Sequence, residues 1–161
     1  MIDESAMDRT LGATLPLLLK NKVAEIPNYT LQAVKNKSGV FVRYSYSQVY
    51  QHVIELASSL KKMGVKKGDH VGLISDNRRE WLITDYALLA LGAADVPRGC
   101  DSMGMEIRFI LDFADCKISF FENFTVLNIF ILLPHRIFLH SPVLTAKVLH
   151  RLTACRDPAK A

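Results

Sequence analysis

The chain has 161 residues, half of them hydrophobic, which supplies one core of ordinary size. Its formal charge of +4 does not mark a nucleic-acid surface: residues 1 to 122 hold 15 basic and 15 acidic residues, and the excess is five scattered cations (Arg136, Lys147, Arg151, Arg156, Lys160) against Asp157. Cys100, Cys116 and Cys155 have no close C-x-x-C spacing, so they predict neither a disulfide framework nor a zinc site and suit a reducing cytoplasm.

The opening MIDESAMDRT is acidic and lacks the basic and apolar pattern of a secretory signal. Thr14 then offers a capping hydroxyl, Pro16 falls in the first turn, and Leu15, Leu18, Leu19 and Val23 recur near helical spacing, which predicts a helix over Leu15 to Glu25. Thr30 to Val34 and Val40 to Tyr44 are β-prone runs around the polar stretch Lys35 to Gly39, the pattern of a hairpin. Ser47 precedes a stretch in which Val49, Val53, Leu56, Leu60 and Met63 share one helical face, and Gly64 is a C-terminal stop.

Lys66 to Asp69 has turn chemistry, His70 to Ser75 reads as a buried strand, and Asp76-Asn77 as the loop and cap of a helix from Arg79 to Leu91 that Gly92 ends. A strand over Ala94 to Pro97, a loop over Arg98 to Met103, a helix over Met105 to Ala114 and a strand over Lys117 to Phe121 complete the series. In the last helix Ile107, Ile110, Leu111 and Ala114 face inward. Alternating strands and helices of this length predict parallel pairing through right-handed crossovers, so His70 to Phe121 is expected to form a Rossmann-like βαβαβ half.

At Asn123 the pattern changes. Beyond Glu122 Asp157 is the lone acid, three of the five histidines (His135, His140, His150) appear, and the strand–helix alternation stops. The longest apolar run here, Val126 to Leu133, is broken by Asn128 and stopped by Pro134, short of the ~20 residues that span a bilayer. The histidines are five and ten residues apart, with Asp157 the one carboxylate nearby, a poor ligand set for a metal.

Motifs for chemistry are scarce. The turn after the His70 strand, Asp76-Asn77-Arg78-Arg79, contains no glycine, and neither G-x-G-x-x-G nor G-x-x-x-x-G-K-[ST] occurs in the chain. Arg78 and Arg79 have the charge to contact an anion at the strand's carboxyl end, although paired arginines at a helix start are more commonly solvated. His52 and His70 read as structural. No Ser-His-Asp or Cys-His arrangement can be argued.

The ordered segments TLPLLLKNKVAEIP and FVRYSYSQVYQHVIELASSLKKMGVKKGDHVGLISDNRREWLITDYALLALGAADVP closely resemble the opening of long-chain acyl-CoA synthetases of the adenylate-forming (AMP-binding) superfamily. The shared features are Tyr44-Ser45-Tyr46, the Gly64-Val65…Gly68-Asp69-His70-Val71 turn, Asn77-x-x-Glu80-Trp81, Gly92-Ala93, Val96-Pro97 and Ala114-Asp115-Cys116-Lys117. Most have plain structural reasons, such as helix ends at Gly64 and Gly92.

The resemblance implies an α/β fold, the partial N-terminal domain of an adenylate-forming enzyme: a hairpin and a Rossmann-like half over residues 10–123, with an irregular tail over residues 124–161. It also implies the chemistry of the intact family, in which a fatty acid and ATP with Mg form acyl-adenylate and pyrophosphate, and CoA then displaces AMP. The family's Thr-Ser-Gly-Thr-Thr-Gly-x-Pro-Lys phosphate loop, acidic magnesium ligand, ribose-binding Asp and C-terminal Lys have no counterpart in this sequence. No catalytic, cofactor-binding or metal-binding residue is therefore assigned, no cofactor is expected to bind this fragment, and the chain alone is expected to be inactive. A frameshift or premature end in the gene would account for the break at Asn123. The competing reading is a non-catalytic module whose basic, apolar tail binds a partner or a membrane surface, which would place a cytoplasmic protein at the membrane periphery.

Overall fold

The computed structural model describes residues 14–116 and 118–122. Helix α1 (Leu15–Glu25) begins as expected, with the Thr14 hydroxyl accepting from the Leu17 amide at 3.4 Å and Pro16 in the first turn. Strands β1 (Thr30–Lys35) and β2 (Phe41–Ser45) form the antiparallel hairpin. Asn36 organises its loop: the side-chain Oδ1 accepts from the amides of Ser38 and Val40 at 3.0 and 2.9 Å.

Helix α2 (Tyr46–Lys62) starts one residue before Ser47, the serine that the sequence offered as its cap. Ser45 is the N-cap, and Gln48 returns the bond to the Ser45 amide at 2.9 Å, a reciprocal capping box. Two bonds to the turn before β1 fix this choice, because the amides of Tyr46 and Ser47 donate to the carbonyls of Tyr29 and Pro27 at 3.0 Å. At the other end Gly64 takes φ +96°, Gly64 N–H bonds Lys61 O, and Val65 N–H bonds Leu60 O, so that buried Val65 caps buried Leu60. A residue with a Cβ would be strained at that φ.

Strand β3 (His70–Ile74), helix α3 (Arg79–Ala90), strand β4 (Ala94–Arg98), helix α4 (Gly104–Phe113) and strand β5 (Ile118–Phe121) follow. The N-cap of α3 is Arg78, without a side-chain cap bond, rather than Asp76 or Asn77. The three strands are parallel in the order β4-β3-β5, so the chain moves from the central strand to one side and then crosses to the other.

Right-handed crossovers in opposite directions put their helices on opposite faces, and the burial follows. Val71 and Leu73 point to a large core with Val49, Val53, Leu56 and Leu60 of α2 and Ile83, Ala87 and Leu88 of α3. Ile74 points the other way, into a smaller cluster with Ile107 and Leu111 of α4 and with Phe121. Gly72 permits that second contact: a Cβ there would stand 2.5 Å from Leu111 Cδ2 and 2.5 Å from Ser119 Oγ. Strand β3 is thus covered on both faces, which explains its unbroken apolar run. Of the residues expected to face inward on α4, Ile107 and Leu111 are buried, whereas Ile110 and Ala114 are half-buried.

Candidate functional site

In an open parallel sheet the place for a ligand is the crevice at the strands' carboxyl ends, where the connections of neighbouring strands leave for opposite faces. Here the loops after β3 and β4 diverge in this way. The strand ladders run on into them, with Ser75 N–H donating to Arg98 O at 3.0 Å and Glu122 N–H to Ile74 O at 2.9 Å.

Three side chains converge at this end: Asp76 after β3, Cys100 after β4 and Glu122 after β5. Their potential ligand atoms lie within 4.8 Å of one another. Glu122 Oε2 accepts from the Asp76 amide at 2.9 Å and from the Cys100 thiol at 3.4 Å, and the Ser75 hydroxyl stands 3.3 Å away. Its other oxygen faces Arg78 Nη1 at 3.5 Å. The Cys100 amide donates to Asp76 Oδ1 at 3.1 Å.

Burial is the largest single influence on Glu122 and pushes its pKa up. The Asp76 amide, the Cys100 thiol, the Arg78 charge and the Ser75 hydroxyl together outweigh it, so the carboxyl titrates below its ordinary value. The opposite holds for Cys100, whose thiol is pushed up to about 11 by burial and then by its bond and proximity to Glu122. A thiol held protonated is neither a nucleophile nor a thiolate ligand.

This donor set does not suit magnesium, which takes oxygen ligands with retained waters. The Glu122 oxygens are engaged by protein donors, and the third member is a protonated thiol. The adjoining hollow beside Ser75, Arg78, Trp81 and Thr84 has a volume of about 10 Å3, too small for a nucleotide. The turn from Ser75 to Arg78 also lacks the glycines that let a backbone approach phosphate. The described residues at this end of the sheet therefore do not fit an ATP–magnesium group.

The two arginines part company. Arg78 stays at the site, pairing with Glu80 at 2.9 Å as well as with Glu122. Arg79, expected with it to be solvated, is 8% exposed, and its guanidinium carbon lies 4.0 Å from the centre of the Tyr44 ring. The first turn of α3 directs it against the hairpin, away from the carboxyl end.

The histidines have structural surroundings. His70 Nδ1 is 2.7 Å from the Ala114 carbonyl, joining the start of β3 to the end of α4. The His52 pKa is lowered by burial and by the Arg79 charge, against the pull of Glu55. His135, His140, His150 and the whole segment read as a partner- or membrane-binding tail lie outside the described residues. Among the described residues no helix is long and apolar enough to cross a membrane.

Sequence reading missed the Asp76, Cys100 and Glu122 convergence, although each residue stands one or two positions beyond the end of a strand. It also missed Asp85 on α3, whose pKa is raised to about 6 by burial and then by the charge and hydrogen bond of Asp95 on β4.

The family model described as AMP-binding enzyme matches residues 22–155, a span that runs on past the change of pattern at Asn123. Long chain acyl-CoA synthetase 5 of Arabidopsis thaliana is 30% identical over 118 residues, which cover 70% of this chain and 18% of that protein. The long-chain-fatty-acid–CoA ligase FadD15 of Mycobacterium tuberculosis is 32% identical over 85 residues, covering 53% of this chain and 14% of its own length. The chain thus spans less than a fifth of these relatives. Among solved structures, the inhibitor-bound N-terminal domain of FACL13 from Mycobacterium tuberculosis superposes with a TM-score of 0.65 at 26% identity, over 74% of this chain and 30% of that one. The same domain in another crystal form gives 0.70 at 22% identity, over 86% and 35%. Sequence match, sheet order and fold agree: the chain belongs to the AMP-binding enzyme family.

Proposed function

We propose that this chain supplies the amino-terminal scaffold of an ATP-dependent fatty acid–CoA ligase and has no ligase activity by itself. The names of the related ligases support the reaction class, in which a fatty acid is activated as its adenylate before transfer to CoA. The observation that carries the scaffold reading is the closed carboxyl end of the sheet. There Glu122, Asp76, Cys100 and Arg78 satisfy one another, and the hollow beside them admits little more than a water molecule.

In this reading residues 10–123 are the scaffold unit, and they position chemistry contributed by other parts of a ligase. Its parallel sheet would hold further strands in register through the edge of β5, which has no partner strand among the described residues, a role that needs no reactive side chain. The test is ATP–pyrophosphate exchange by the purified chain with a panel of fatty acids. Exchange at background is expected. Exchange above background that depends on fatty acid would overturn the assignment of inactivity.

A further inference from the structure

Arg79 is a buried cation at the first position of the 12-residue helix α3, where the helix dipole adds positive potential. Among the described residues it has no ion pair, and its Nε and Nη2 atoms have no hydrogen-bond partner. These two nitrogens share one edge of the guanidinium plane, the edge that grips a carboxylate through two parallel bonds. The guanidinium carbon lies over the Tyr44 ring, 4.0 Å from its centre, a cation–π contact. Gln32 completes the seam: its Nε2 donates to the Arg79 carbonyl at 3.2 Å, while its Oε1 is buried without a partner.

Leaving buried donors of a charged group unpaired is costly, and contact with one ring recovers a part of that cost. We infer that the seam between the hairpin and the start of α3 is a binding site for a small monovalent carboxylate, held side-on by Arg79 Nε and Nη2. One guanidinium matches a single negative charge and would leave a phosphate dianion half compensated. Admission requires the hairpin to yield. It is lightly held, since Leu31 and Tyr44 pack on the core while Val34, Val40 and Phe41 are exposed. Gln32, attached by one long bond, is the side chain to be displaced.

Formate is the probe, titrated into the whole chain against chloride at equal ionic strength. In 1H–15N spectra the Arg79 Nε–H resonance should move saturably with formate and stay in place with chloride. Formate should also raise the melting temperature saturably, as a ligand of the folded state does. Arg79→Lys keeps the charge but not the two-donor edge, and should weaken formate binding about tenfold or more. A resonance that ignores formate, or that moves equally with chloride, overturns the proposal. So does a formate-dependent melting shift retained in Arg79→Lys. Should that variant fail to fold, the wild-type resonance decides alone.

Discussion

The Cys100 amide donates to the Asp76 carboxylate at 3.1 Å, so the loops that leave β3 and β4 for opposite faces of the sheet are tied together across its carboxyl end. Glu122 adds the loop after β5 through the Asp76 amide. A crevice that the topology would open is closed by hydrogen bonds from three separate connections.

Removing the centre of that knot should destabilise the fold, with a pH dependence of defined sign. Glu122 has a native pKa below its ordinary value of 4.5, so its contribution is present above that value and lost as pH falls through the depressed native pKa. Glu122→Gln keeps the shape but not the charge. Urea unfolding at pH 7 should show it less stable by about 1.5 kcal/mol, the low end for hydrogen bonds to a charged group because this carboxylate is part-exposed. At acid pH the two proteins should converge. Equal stability at pH 7 would mean that the knot contributes nothing.

The Asp85 and Asp95 pair should behave in the opposite sense. Unfolded Asp85 titrates near 3.8 and folded Asp85 near 6, so the native state retains a proton that the unfolded state releases. This favours folding at low pH and is lost as pH rises through about 6, leaving at neutral pH the cost of a part-buried charge and of its repulsion from Asp95. Asp85→Asn mimics the protonated form. It should match wild type near pH 4 and exceed it at pH 7.5 by about 1 kcal/mol, a figure already reduced for solvent screening of a part-buried pair. Denaturant melts at the two pH values measure this difference, and a variant less stable at pH 7.5 would contradict it.

At Gly72 the prediction is steric. A methyl group there meets Leu111 Cδ2 and Ser119 Oγ at 2.5 Å and Ser119 Cβ at 2.9 Å, so Gly72→Ala must separate α4 or β5 from the central strand. Overpacking of this kind costs about 1–3 kcal/mol. Pairing it with Leu111→Ala should recover part of the loss, since the added methyl then meets less of the helix. Additive losses in that double variant would place the strain elsewhere.

Local chemistry carried most of the architecture in the sequence. Gly64 and Gly92 end helices where their positive φ is required, and the apolar run of β3 announced a strand covered on both faces. What escaped depended on partners distant in the chain. Ser45 and Ser47 are equally good caps by type, and the choice rests on bonds to Tyr29 and Pro27 in the preceding turn. Arg79 looks solvated beside Arg78 and Glu80, because the Tyr44 ring that buries it is contributed by the hairpin. Asp76, Cys100 and Glu122 each end a different strand, and only the β4-β3-β5 order makes them neighbours.

Asp115 offers the converse of the glycine stops. It ends α4 with the bond pattern found at Gly64, Cys116 N–H reaching Leu111 O at 2.9 Å, yet it is an L residue at φ +50°. Aspartate tolerates this region better than most side chains but still bears strain that glycine does not. Asp115→Gly relieves it at the expense of a more flexible unfolded chain, and these terms oppose one another. The balance at a helix C′ position favours glycine, so the variant should gain about 0.5 kcal/mol in urea unfolding. Asp115→Val, branched at Cβ, should lose about 1 kcal/mol or more at the same φ. If valine were tolerated as well as aspartate, the left-handed conformation would not be what residue 115 is selected to adopt.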